Sequence, residues 1–167
     1  MTMFAKIQGW YHQGVAWLEY AKPMVDLALR LWVAWAFFKS GLVKIADMDS
    51  TIDLFTNTYH VPLLPPVVAA YIGTGVELIV PWFLALGLFG RLTAAFMFVY
   101  NLICVISFPD LWPDGFWTGL FGSAFKDHKI WGLMLLVTLV YSPGKLSLDY
   151  LIVKFLPKLR PATRVAA

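Results

Sequence analysis

Glu77 stands near the centre of an apolar run from Pro65 to Phe89 that has no other acidic or basic side chain apart from the phenol of Tyr71. In hydrocarbon an ionised carboxylate is costly unless it is paired or hydrated. Glu77 therefore reads either as a proton relay, ligand contact or hydrogen-bond partner of a quinone, or as a structural acid held by an ion pair or a helix. Arg30 is the natural counter-charge. It could reach Glu77 across a bundle, pair locally with Asp26 one turn earlier on the same face, or extend to a membrane surface. Lys39 and Lys44 follow at the far end of the apolar run that holds Arg30, about residues 24–42, where they could neutralise Asp47 or an anion, with Lys39 reaching to the interface. Asn101 is polar within another apolar run and suits interhelical hydrogen bonding or ligand contact.

The histidines and the cysteine narrow the chemistry further. His60 and His128 flank the outer ends of two apolar runs, among Asp47, Asp49, Asp53, Asp110, Asp114 and Asp127. Imidazole and carboxylate suit a divalent transition metal, so His60 and His128 are the weak metal candidates. No tight motif such as HExxH supports them. Neither lies deep in a run where it could hold a haem. The single cysteine, Cys104, excludes an internal disulfide, a CxxC pair and a thiolate-held zinc or iron–sulfur cluster within one chain.

The elements that must position these groups are membrane helices. The 167 residues are 60% apolar and 14% charged, with mean hydropathy +0.70, whereas soluble domains run about 45–50% apolar and about 25% charged. That composition excludes disorder, a collagen-like repeat and a charge-driven nucleic-acid binder. The net charge of +3 fits anionic lipid headgroups as partner. A helix needs about 20 residues to cross roughly 30 Å of hydrocarbon. Spans are expected at about 24–42, 65–89, 91–108 and 129–142, the last borrowing length from its flanks. The chain reads as one all-α membrane domain, a four-helix transmembrane bundle over residues 1–167. The N-terminal residues lack the continuous apolar stretch of a cleavable signal.

Charge sets the expected orientation. Lys6, Lys22, Arg91, Lys145, Lys154, Lys158, Arg160 and Arg164 gather on the side of the termini, while only Lys39, Lys44, Lys126 and Lys129 fall near the opposite face, where Asp47, Asp49, Asp53, Asp110, Asp114 and Asp127 accumulate. Positive residues favour the cytoplasm, so both termini are expected there. Residues 3–20 and 145–156 carry apolar positions at helical spacing and predict two amphipathic helices on that membrane surface. Ser142-Pro143-Gly144 breaks the chain before the second, and Pro157 ends it. The stretch from Phe108 to Trp117 predicts a rigid aromatic turn on the outer side. The small residues Gly73 and Gly75 allow close helix approach and a homo-oligomer.

The segments Phe38-Lys39-Ser40-Gly41-Leu42-Val43-Lys44-Ile45, Gly75-Val76-Glu77-Leu78 and Leu86-Gly87-Leu88-Phe89-Gly90-Arg91 resemble the DoxX family of small bacterial inner-membrane proteins. Asp127-His128-Lys129-Ile130-Trp131-Gly132-Leu133 and Ser142-Pro143-Gly144-Lys145 extend the resemblance, which covers about residues 27–152. It implies a four-helix membrane bundle in the inner membrane. It further implies a link to quinone-dependent oxidoreductase complexes and to oxidative- or metal-stress systems, in company with a protein partner. Two functions are therefore expected to compete. One is a membrane redox component, an oxidoreductase subunit binding quinone between helices through Glu77 and Arg30. The other is a non-catalytic scaffold or solute-transport component that docks a partner through His60, Asp127 and His128.

Overall fold

The structure, a computed structural model, describes residues 3–141 and 143–156. Ser142, Pro157 and the basic residues Lys158, Arg160 and Arg164 lie outside the described residues. Among those described there are seven α-helices and no strand: α1 (Met3–Ala46), α2 (Met48–Asn57), α3 (Pro66–Leu86), α4 (Gly90–Ile106), α5 (Phe116–Phe121), α6 (Lys126–Tyr141) and α7 (Leu148–Phe155). A single 3-10 turn, Pro109–Leu111, follows α4.

The first helix differs from the expected pair of elements. It runs 44 residues without a break, through Pro23, so residues 3–20 are not a separate helix. Proline removes one backbone donor, and here the hydrogen bonding on either side carries the helix past it. Residues 6–22 are exposed on every face, whereas Arg30, Val33, Ala34, Phe37 and Gly41 are buried at helical spacing. The first half of α1 is therefore an arm, and its second half is part of the bundle.

Helices α1 and α3 pack along each other, as do α4 and α6, while α2 lies against α3. Val33, Ala34, Phe37, Leu84, Ala94, Met97 and Leu135 form the main core, and Phe55, Ala69 and Ala70 form a smaller one beneath α2. The α3–α4 hairpin is closed by Gly87 in the left-handed region at φ 64°. Gly87 N–H donates to Leu84 O and Leu88 N–H to Phe83 O, the paired bonds that terminate a helix when the capping residue is left-handed.

The outside of the bundle is apolar. Trp32, Trp35, Ile79, Trp82, Leu92 and Leu133 are all exposed, far more than a water-facing surface ordinarily shows contiguously. Among the described residues α3 is the helix long and apolar enough to cross a membrane by length and composition, and α4 is a shorter apolar helix.

Candidate functional site

Glu77 meets a cation, and it is Lys44. Lys44 Nζ lies 2.6 Å from Glu77 Oε2 and 2.7 Å from Ser40 Oγ. On the other side, Tyr100 Oη donates to Glu77 Oε1 at 3.0 Å and approaches Gly73 O at 3.3 Å. The carboxylate thus ties α1, α3 and α4 together. It is buried to 4% side-chain exposure, and Lys44 to 17%. The register follows from Gly41, which packs directly against the backbone of Glu77. With no side chain there, the two helices approach closely, and Lys44 one turn on reaches the carboxylate.

Arg30 does something else. Among the described residues the ion pairs are Lys22–Glu19 and Lys44–Glu77, so the Arg30 pairings expected with Glu77 or Asp26 are both absent. Arg30 lies 11 positions before Gly41, roughly 16 Å along the helix, which puts Glu77 out of reach. Its guanidinium is fully buried and donates to Leu84 O at 3.3 Å, Ala85 O at 2.9 Å and Leu146 O at 2.6 Å. The first two are carbonyls of the last turn of α3, where a cation is favoured by the helix dipole. Arg30 joins three chain segments at the hairpin end. Asp149 completes that joint by accepting from Phe89 N at 2.8 Å and Gly90 N at 2.7 Å, at the start of α4.

The Glu77 cluster borders a cavity of about 500 Å³. Apolar walls come from Phe37, Phe55, Val76 and Trp131, and polar groups from Ser40, Lys44, Tyr59, Glu77, Tyr100, Cys104, Ser107 and His128. Ile72 of α3, with Phe96 and Ile103 of α4, lines the cavity and is also exposed on the outside of the bundle. Leu63 and Leu64, between α2 and α3, line it and are exposed as well, so the lining reaches the apolar exterior. Tyr59, between α2 and α3, has its phenol pushed above its ordinary value by burial first and by Glu77 second, so it remains a hydrogen-bond donor.

The remaining candidates separate. Lys39 is exposed, with no side-chain hydrogen bond among the described residues. His60 and Asp127 are exposed as well. His128 instead turns inward to Asn101: Asn101 Nδ2 donates to His128 O at 2.9 Å, and Asn101 Oδ1 lies 2.8 Å from His128 Nδ1. Among the described residues no group of three or more His, Cys, Asp or Glu is arranged to hold a metal ion. Sequence reasoning missed Tyr100, and it missed Lys44 as the partner of Glu77. The available signal was Gly41 beside Ser40 and Lys44, a small residue flanked by polar ones at one helical turn.

A helical bundle with an apolar exterior and a buried acid–lysine pair beside a cavity defines a small helical membrane protein. The DoxX family model matches residues 25–110, and the chain belongs to that family. It is also similar to an uncharacterized protein of Haemophilus influenzae, 31% identical over 134 residues, which are 78% of this chain and 85% of that protein. No solved structure matches.

Proposed function

We propose that this protein is a four-span component of the bacterial inner membrane, with both termini cytoplasmic, that binds a quinone between its helices as part of a redox or stress-response complex. The observation that carries the reading is the cavity itself: apolar walls, lining residues that reach the apolar exterior, and a buried carboxylate with its own lysine and tyrosine. Such a combination of a greasy wall and a few fixed polar groups is what amphiphilic ligands require. The volume accommodates an aromatic head group, and a tail would leave past Ile72 and Phe96. Ser107, whose Oγ is buried without a partner, borders the same space and offers a polar atom for a ligand to satisfy.

In this reading Tyr59 and Lys44 donate to the ligand oxygens, Glu77, held by Tyr100, accepts from a ligand hydroxyl, and Phe37 and Trp131 flank the ring. Lys44 orients Glu77 through their ion pair. Arg30, assigned to the ligand on sequence grounds, instead holds the hairpin end of the bundle. A bound quinone would supply two-electron, two-proton carrier chemistry, with electrons exchanged through a partner protein.

The test is extraction. Protein purified in mild detergent from native membranes should carry quinone, counted in its oxidised and reduced forms together, in stoichiometric amount, and Glu77→Gln protein of equal folding quality should carry several-fold less. Absence of quinone from the wild type would sink the proposal, and equal retention by the variant would remove Glu77 from the site.

A further inference from the structure

We propose that the cavity takes the reduced dihydroxy form of the quinone in preference to the oxidised form, with His128 Nε2 and Ser107 Oγ as its second polar contact. The inference rests on the quinone reading above and concerns which redox form the site holds.

The argument starts at Asn101, which is 2% exposed and spends both amide atoms on His128. Because Nδ2 donates to His128 O, Oδ1 is the atom facing the ring, and an acceptor there requires the hydrogen on His128 Nδ1. In the neutral ring that leaves Nε2 as a lone pair. The imidazole is held edge-on to Trp131, centroids 4.9 Å apart, and Trp131 rests against Phe37 at 5.3 Å. All three rings line the cavity, and Nε2 has no hydrogen-bond partner among the described residues. Asn101 is thus a positioning residue that presents a fixed acceptor to the ligand space.

Ser107 supplies an independent observation. Its side chain is 4% exposed, and its Oγ is buried with no partner, a situation native interiors rarely leave. It caps the C-terminal end of α4, at helical spacing from Cys104 and Tyr100, and all three border the cavity.

The polarity of these groups decides between ligand forms. The Glu77 carboxylate and His128 Nε2 are both acceptors. A quinone oxygen only accepts, so it would set lone pair against lone pair at either one. A quinol hydroxyl donates to them while its oxygen still accepts from Tyr59, Lys44 or Ser107. The donors serve both forms, so the preference comes from the acceptors.

The test uses the detergent-solubilised full chain under anaerobic conditions, titrated calorimetrically with decylubiquinol and with decylubiquinone. The quinol should bind at least about fivefold tighter, the worth of one additional net hydrogen bond. His128→Phe, which keeps a ring against Trp131, should bring the two affinities to near parity, and Ser107→Ala should weaken quinol binding without disturbing the fold. The ¹⁵N shifts of the His128 ring should report the Nδ1–H tautomer. Equal affinities in the wild type, a preference that survives His128→Phe, or an Nε2–H tautomer would each overturn the proposal. Equal binding of both forms leaves the quinone site standing, whereas binding of neither removes both readings.

Discussion

Removing one member of the Glu77–Lys44 pair strands the other charge in a place where water cannot reach it easily. Breaking a buried pair from one side costs about 3–5 kcal/mol, whereas replacing both members by apolar residues is often close to neutral. Lys44→Met should therefore lower stability in detergent by that order, and Lys44→Met with Glu77→Leu should lose distinctly less. Chemical denaturation of the two single variants and the double variant measures this directly. Strictly additive losses would mean the two side chains do not interact. Glu77 was legible in the sequence because a lone acid in an apolar run is anomalous by itself. Its partner was not, because Arg30 and Lys44 are both cations on α1 and only the register between α1 and α3 distinguishes them. Asn101 was legible as a polar residue joining helices, but the residue it joins to, His128, looked like an outer-loop residue.

That register is a property of elements, and one glycine sets it. A methyl on Gly41 would lie 3.0 Å from the carbonyl carbon and Cβ of Glu77 and 3.1 Å from Leu78 Cδ2. Two of those neighbours cannot rotate away, so α1 would have to move off α3. Gly41→Ala should cost about 1–3 kcal/mol, the usual penalty for overpacking, and should weaken the Lys44–Glu77 contact. Gly75→Ala is the control: a methyl there meets nothing within 4 Å, and the change should be neutral or stabilising by up to about 1 kcal/mol through helix propensity. Comparable losses at both positions would refute the close-approach argument. The sequence marked the Gly73–Gly75 stretch as the place of close approach, because small residues announce room without saying what fills it. A second element carries its own pH signature. Asp47 caps α2, accepting from Ser50 N at 2.9 Å and Ser50 Oγ at 2.6 Å, and these bonds hold its carboxyl below the ordinary range. A depressed pKa stabilises the fold above the unfolded carboxylate range, and the contribution is lost as pH falls through the folded value. Protection of the first-turn amides of α2, corrected for intrinsic exchange, should fall in that acid window, and Asp47→Ala should abolish the dependence.

At the scale of the molecule, hydropathy singles out α3 while the bundle is built from four long elements. The second half of α1 fails a composition test because it contains Arg30, Lys39 and Lys44. Two of these three charges are matched inside the protein, Arg30 by carbonyls and Lys44 by Glu77. The exposed side of the same segment carries Leu31, Trp32, Trp35 and Val43. Charges inside membrane proteins characteristically face the bundle interior and find partners there, so the segment suits hydrocarbon better than its average suggests. The same holds for α6, whose exposed positions include Leu133, Val137 and Val140. Taking α1, α3, α4 and α6 as the four crossings places the Gly87–Gly90 hairpin and α7 on the side of both termini, and α2 and α5 on the other. The basic residues Lys6, Lys22, Arg91, Lys145 and Lys154 fall at the first face, against Lys44, Lys126 and Lys129 at the second, where Asp47, Asp49, Asp53, Asp110 and Asp114 also lie. By the preference of positive residues for the cytoplasm, alkaline phosphatase fused after Leu64 should be active in the periplasm. The same enzyme fused to the C-terminus should be inactive, where a fluorescent protein should instead be bright. Activity at the C-terminus with silence after Leu64 would invert the orientation, and activity at both would require an odd number of crossings. The first outcome carries a further consequence: Glu77 then lies between an outer face bearing Tyr59 and His128 and an inner face closed by Arg30, Leu146 and Asp149. Protons exchanged by a ligand in the cavity would have their short path to the periplasm.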